Sequence, residues 1–311
     1  MKLNFTKILI ALFALIIFMP TTFAKEIKKI YYTNNNGIEM TQKEYEFLNE
    51  LFNESYIENM TQEKFENLAK GLVDYELDEE KVQYIKTSTF RDPNGETFSY
   101  DTIISKEEYD NFVKPQTRTT CTGTDLIACW ETNAKKLTME IMNLTFTNNV
   151  KVLDILTKIH WKTIPATKSY DLLGLRWDTL PSTLTYRDMI AAQEVSDGTF
   201  PVYQHFDYDT NSSNTNSATN GIGVSMNLYD NVSGSLRHHG MELVSFTKTG
   251  NGTIHAYASY QHATSSLTLA QSKSYTFSSS GLGKVQYFSN STIKNKYDNM
   301  QGLDVQIAYF Q

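Results

Sequence analysis

Strict alternation of apolar and polar residues is the feature that most constrains the fold of this 311-residue chain. It is clearest at residues 222–229 and recurs at residues 303–309, and in residues 151–161 the apolar side chains of Leu153, Ile155, Ile159 and Trp161 share one face. Because successive side chains of a strand point to opposite faces, a period of two predicts strands with one buried face. Roughly nine such segments follow residue 132, with turn residues between them and no βαβ alternation. They predict an antiparallel β-sandwich of jelly-roll type.

A second pattern, typical of helix starts, occurs three times nearer the N-terminus, at residues 40–48, 60–68 and 104–112. Its first copy pairs Thr41 with Glu44 as a capping box, in which both side chains satisfy backbone N–H groups of the first helical turn. The sequence therefore predicts short helices and an α+β class for the whole chain. Roughly thirty helical residues bury too little to fold alone, so we expect an appendage on the β region. A peptide- or surface-recognition module is the alternative.

The charge of the chain is divided unevenly. Residues 25–118 carry a net charge of −8, whereas residues 119–311 carry −1. This shift, together with the polar stretch around Pro115, predicts a domain boundary. The overall net charge of −7 argues against nucleic acid as a partner. The predicted parts are a signal peptide, an acidic and mainly helical region, and a β-sandwich domain, at residues 1–24, 25–114 and 115–311.

The N-terminus has the three parts of a secretory signal peptide. Lys2 and Lys7 are followed by an apolar run over residues 8–19 and by small residues before a cleavage point after Ala24. The run has 12 residues, whereas a helix needs about 20 residues to span a bilayer. We therefore expect a secreted, extracellular protein without a stable membrane anchor.

The chain has two cysteines, Cys121 and Cys129, with seven residues between them. In an extracellular protein, two cysteines this close are typical of a structural disulfide. A metal-binding or redox pair is the alternative, but those motifs place about two to four residues between the cysteines. We therefore predict one disulfide.

Few residues carry the signature of a metal or cofactor site. Asp207, Asp209 and Asn211 have the alternate spacing that begins a calcium loop, but Ser212 and Ala218 occupy the positions where glycine and glutamate are expected. They form a weak calcium candidate. The chain has no Gly-x-Ser-x-Gly elbow and no phosphate-cradling glycine loop. No catalytic residue and no cofactor are predicted.

One predicted strand offers a candidate binding surface. His255, Tyr257 and Gln261 alternate on the same face, where an aromatic ring among hydrogen-bonding side chains suits a sugar or a peptide. A solvated outer face of the sandwich has the same pattern and is the alternative. The first functional hypothesis is therefore a non-enzymatic protein that binds a surface glycan or protein. An extracellular hydrolase acting on glycan or peptide is the second, and a membrane-active, β-toxin-like protein is the third.

Three stretches resemble uncharacterised secreted proteins of low-GC Gram-positive bacteria. They are the helix pair at residues 40–45 and 56–61, the segment Cys129-Trp130-Glu131-Thr132, and residues 161–177, which begin Trp161-Lys162-Thr163-Ile164-Pro165. The resemblance implies a signal peptide, an acidic helical N-terminal element and a β-rich C-terminal domain. It implies no known activity.

Overall fold

We describe the fold from a computed structural model. The structure describes residues 29–91, 97–112, 129–196, 204–228, 237–277, 286–288, 290–298 and 303–309. The signal peptide and Cys121 lie outside these ranges, so secretion and the disulfide stay predictions. In the described part of the chain, no helix is long and apolar enough to cross a membrane.

Two short strands and three short helices come first. They are β1 (Tyr32–Thr33), β2 (Glu39–Met40), α1 (Gln42–Leu51), α2 (Glu54–Glu58) and α3 (Gln62–Leu68). Each helix begins after a residue whose side-chain oxygen accepts a backbone N–H of the first turn. The predicted capping box of Thr41 and Glu44 is present. Gly71, with a φ of +80°, turns the chain from α3 into the first long strand, a conformation that glycine adopts without strain.

Strands dominate the rest of the described chain. The remaining elements are β3 (Leu72–Arg91), β4 (Thr97–Ile104), α4 (Lys106–Asp110), β5 (Cys129–Phe146), β6 (Lys151–Trp161), β7 (Tyr170–Trp177), β8 (Leu184–Ser196), β9 (Gln204–Asp209), β10 (Thr215–Ala218), β11 (Gly221–Asn227), β12 (Arg237–Lys248), β13 (Gly252–Gln261), α5 (Leu269–Ser272), β14 (Tyr275–Phe277), β15 (Gln286–Phe288), α6 (Ser291–Lys294) and β16 (Leu303–Tyr309).

Two large sheets form the body of the molecule. The seven-stranded sheet has the order β4-β3-β5-β6-β12-β8-β9, and the five-stranded sheet has the order β10-β11-β7-β13-β16. Neighbouring strands in both sheets are antiparallel. Their inner faces share one apolar core that includes Trp161, Leu175, Val224, Val244 and Ala258. The predicted antiparallel architecture, consistent with a β-sandwich, is confirmed. The jelly-roll topology and the α+β class stay predictions.

The N-terminal helices pack on the outer face of the seven-stranded sheet. Phe47, Ile57 and Phe65 from the helices share a buried cluster with Leu144 and Leu243 from the sheet. The helices therefore obtain from the sheet the apolar contacts that their own small number of residues cannot supply.

The second half of the acidic region contains two strands of the seven-stranded sheet. They are β3 (Leu72–Arg91) and β4 (Thr97–Ile104). β3 pairs with β5 along its length, so the hydrogen-bonded ladder crosses the predicted boundary near Pro115. Pairing with β5 satisfies the hydrogen-bonding capacity of the backbone N–H and C=O groups of this charged stretch, so long-range pairing outweighs the local structural preference of its residues. The domain boundary itself stays a prediction.

Candidate functional site

The outer face of the seven-stranded sheet carries a cleft beside α4. The cleft has a volume of about 390 Å³, within the range of about 300–1,000 Å³ typical of ligand sites. Tyr109 of α4 and Thr138 of β5 belong to its wall. The remaining lining residues are all basic: Lys136, Lys158, Lys162, Arg237, His160 and His239. We call this site the cationic cleft.

Strand pairing brings these side chains together. Lys136 of β5 lies opposite His160 of β6, which in turn lies opposite His239 of β12. Lys158 is two residues before His160, so the period of two places both on the same face of β6, and Lys162 directly follows the last residue of that strand. The cleft is therefore built on three adjacent strands of a rigid sheet.

Some of the cleft's cations already have partners. Lys158 forms an ion pair with Glu140, with 3.0 Å between Nζ and Oε1. Lys162 donates to the backbone carbonyl of Asp110 at 3.2 Å, and its Nζ lies 4.7 Å from the centre of the Tyr109 ring. These contacts fix the ammonium groups of Lys158 and Lys162 at the wall of the cleft, where they can donate charge-assisted hydrogen bonds to a bound anion.

The two histidines of the cleft are neutral at pH 7. Burial, together with the nearby His239 and Arg237, lowers the pKa of His160 to about 3. Burial also lowers the pKa of His239, against the opposing effect of Glu194. The rings lie 6.2 Å apart. The positive charge of the cleft therefore comes from its lysines and arginine, and neutral imidazoles add hydrogen-bonding groups.

The predicted binding residues of β13 are largely enclosed. Tyr257 is buried, and its ring lies beneath the guanidinium of Arg176, 4.0 Å from ring centre to Cζ. Gln261 is also buried, and its Oε1 has no hydrogen-bond partner in the part of the chain that the structure describes. His255 is half-buried on the same strand. A binding role for His255, Tyr257 and Gln261 stays a prediction.

The weak calcium candidate lies at the end of β9. Asp207 is held by Lys64 of α3 and accepts a hydrogen bond from the Tyr56 hydroxyl at 3.1 Å. Asp209 accepts the backbone N–H of Asn211 at 2.8 Å. Within the described ranges, no three His, Cys, Asp or Glu side chains are placed to hold a metal ion. Calcium binding here stays a prediction.

The hydrolase hypothesis requires two carboxylates, or a Ser/His/acid set, in one cleft, and a histidine–carboxylate pair that could belong to such a set occurs deep in the molecule. Nδ1 of His262 lies 3.0 Å from Oδ1 of Asp171, and the two side chains are 1% and 0% exposed. The Tyr260 hydroxyl donates to the same carboxylate. Because a substrate cannot reach groups this buried, the pair positions neighbouring residues and does not form an open hydrolytic site.

The sequence analysis did not identify the cationic cleft, although part of its signal is present. Lys158 and His160 alternate along β6, which places two basic side chains on one face, and Lys162 follows two residues after His160. Lys136 and Arg237 join them only through the strand order β5-β6-β12, which local patterns do not contain.

Comparison with known proteins identifies no family. No protein-family model and no curated protein matches the sequence. Among solved structures, the C-terminal domain of the Streptococcus pyogenes antigen I/II-family protein AspA is 9% identical, with 57% of this chain and 80% of that chain covered and a TM-score of 0.23. The C-terminal domain of the Streptococcus agalactiae polypeptide BspA is 11% identical, with coverages of 61% and 77% and a TM-score of 0.23. The major pilin SpaD of Corynebacterium diphtheriae is 9% identical, with coverages of 74% and 59% and a TM-score of 0.23.

Proposed function

We propose that this protein is a secreted, non-enzymatic binding protein whose cationic cleft holds an anionic group of a surface glycan. The observation that carries the proposal is the convergence of Lys136, Lys158, Lys162 and Arg237 on one cleft of about 390 Å³. Ammonium and guanidinium groups at an ordered wall bind sulfate, phosphate or carboxylate by charge-assisted hydrogen bonds.

The shape and the charge of the molecule favour a compact anionic group over a long polyanion. The chain has a net charge of −7, and residues 25–118 alone carry −8. Extended nucleic acid is repelled by such a field, whereas one sulfated or carboxylated sugar contacts only the local positive charge of the cleft.

The predicted signal peptide is an independent observation that supports the same function. Export brings the protein to the compartment where sulfated, phosphorylated or uronic-acid polymers are displayed on cell surfaces. Binding there needs no cofactor, because the lysines and the arginine supply the charge themselves.

A glycan-array screen of the full chain tests this function. We expect sulfated, phosphorylated or uronic-acid glycans to bind, and neutral glycans of the same backbone to remain unbound at 0.15 M salt, the physiological ionic strength at which the Debye length is about 8 Å. Binding should weaken as salt rises, since salt screens exposed charge pairs. Equal binding to neutral and anionic glycans would contradict the proposal.

A further inference from the structure

A buried cluster of charged groups lies between the sheets, away from the cationic cleft. Lys135 of β5 pairs across the ladder with Trp161, a residue of the shared core. Its Nζ lies 2.5 Å from Oδ2 of Asp298 and 3.3 Å from Oδ2 of Asp101. The side chains of Lys135 and Asp298 are 0% exposed, and that of Asp101 is 5% exposed. One ammonium group is therefore enclosed with two carboxylates.

The free-energy cost of burying these charged groups is high. The free energy lost when charged groups leave water commonly exceeds the free energy gained from their mutual attraction. Apolar residues of similar volume therefore often stabilise a core equally well. The contact between an amine nitrogen and a carboxyl group at this distance is, however, also the starting geometry for a condensation. Reacting atoms held about 3–3.5 Å apart in a fixed orientation react as if at very high concentration.

Asp298 is fixed as an acyl donor by the backbone of one residue. The N–H of His262 donates to Oδ1 of Asp298 at 2.9 Å, and the N–H of Asp298 donates to the carbonyl of His262 at 2.9 Å. Oδ1 is thus held by a backbone donor that would stabilise negative charge on it, while Oδ2 faces Lys135. Burial and the nearby Asp101 together raise the pKa of Asp298 to about 7, against the opposing effects of Lys135 and His262, so a fraction of the uncharged acid is present at neutral pH.

The other two groups are held with equal precision. The Nζ of Lys135 lies 5.0 Å and 5.6 Å from the ring centres of Trp161 and Tyr260, which shield it from water. The Thr87 hydroxyl donates to Oδ1 of Asp101 at 2.7 Å, leaving Oδ2 directed at the amine. A carboxylate at this place can accept a proton from the ammonium group.

We propose that Lys135 and Asp298 condense into an intramolecular isopeptide bond, with Asp101 as the proton carrier. A bond forms between Nζ and Cγ of Asp298, and the bond between Cγ and Oδ2 breaks. Of the three ammonium protons, one passes to Asp101 and on to solvent, one leaves on Oδ2, which departs with its own proton as water, and one stays on the amide nitrogen. No oxidant, reductant or other reactant is consumed.

The bond would join β5 to the segment after α6, residues that are 163 positions apart. It replaces the buried ammonium group of Lys135 by a neutral amide and leaves Asp101 as the remaining carboxyl group, which removes the cost of burying the ion pair. The inference is independent of the cationic cleft, whose residues lie on the opposite face of the sheet.

Intact-mass measurement of the full chain, denatured and reduced, tests the proposal. After N-terminal sequencing has fixed the first residue, we expect a mass lower than the sequence mass by one water molecule. A tryptic digest should contain one branched peptide that joins Lys135 to Asp298, with no cleavage after Lys135. An unmodified mass together with a free Lys135 peptide would overturn the proposal.

Three variants assign the roles. Asp298→Ala and Asp101→Asn should both show the full sequence mass, and circular dichroism shows whether each has folded. The matched control is Lys158→Ala, which removes a lysine paired with Glu140 at 3.0 Å on the outer face and should keep the loss of water. If the variants fail to fold, the branched peptide of the wild-type chain still decides between the bond and an ordinary ion pair.

Discussion

The substitution Asp101→Asn separates a covalent Lys135–Asp298 bond from an ion pair by its effect on the free energy of unfolding. Asparagine keeps an oxygen for the Thr87 hydroxyl, which donates to Asp101 at 2.7 Å. It cannot accept the proton of Lys135, so the bond should not form. A cross-link between residues 163 apart lowers the entropy of the unfolded chain by an amount worth about 5 kcal/mol at 25 °C. Without a cross-link, the variant loses one charge-assisted hydrogen bond, about 1.5–3 kcal/mol.

Guanidinium unfolding followed by circular dichroism measures the difference. With a slope of about 4 kcal/mol per molar denaturant, the midpoint should fall by about 1 M or more relative to the wild type. Asp110→Asn is the matched control, because Asp110 is exposed and pairs only within one helical turn with Lys106; its midpoint should not change measurably. A loss below about 3 kcal/mol in Asp101→Asn would refute the covalent bond, because the lost hydrogen bond alone accounts for that much.

Two further predictions concern buried glutamates. Glu44→Ala removes the carboxylate that accepts the N–H of Thr41 at 2.6 Å and of Gly71 at 2.7 Å; we expect a loss of about 2–4 kcal/mol in urea unfolding, against little change in the exposed control Glu46→Ala. Glu242 is fully buried, and burial raises its pKa well above the usual value. Its contribution to stability is therefore complete at a pH below the unfolded pKa and is lost as pH rises toward the folded pKa. Glu242→Gln should stabilise the protein more at pH 8 than at pH 5, and equal effects at both pH values would contradict this reasoning.

The sequence predicts those parts of the fold in which one local period continues for a whole element. Ile222, Val224 and Met226 alternate in the sequence and are all buried in the shared core. The N-terminus of α1 follows from Thr41 and Glu44, because a capping box requires only two side chains three residues apart.

Only the second half of β3 is evident from the sequence, where residues 82–90 alternate like a strand. Its register with β5 shifts between Leu72 and Asp74 and again between Leu77 and Glu79, so its alternation is broken twice. Long-range pairing decides the structure of this acidic stretch, and local composition does not.

The two sites differ in how much of them the sequence contains. The basic residues of β6 in the cationic cleft stand two positions apart, and a period of two reveals that they share a face. The contact between Lys135 and Asp298 has no local signal, since the two residues are 163 positions apart and meet only when both sheets are in place.

Isothermal titration of the full chain with a sulfated disaccharide and with its desulfated form tests the proposed function most directly. We expect the sulfated probe alone to bind, with an affinity that falls as salt rises. The double variant Lys136→Glu/Arg237→Glu should lower the affinity by about tenfold or more for each lost charge-assisted contact. Lys29→Glu/Lys294→Glu, which changes the net charge equally at exposed lysines outside the cleft, should bind nearly as the wild type. Equal losses in both double variants, or equal binding of the desulfated probe, would contradict an anion-binding cleft.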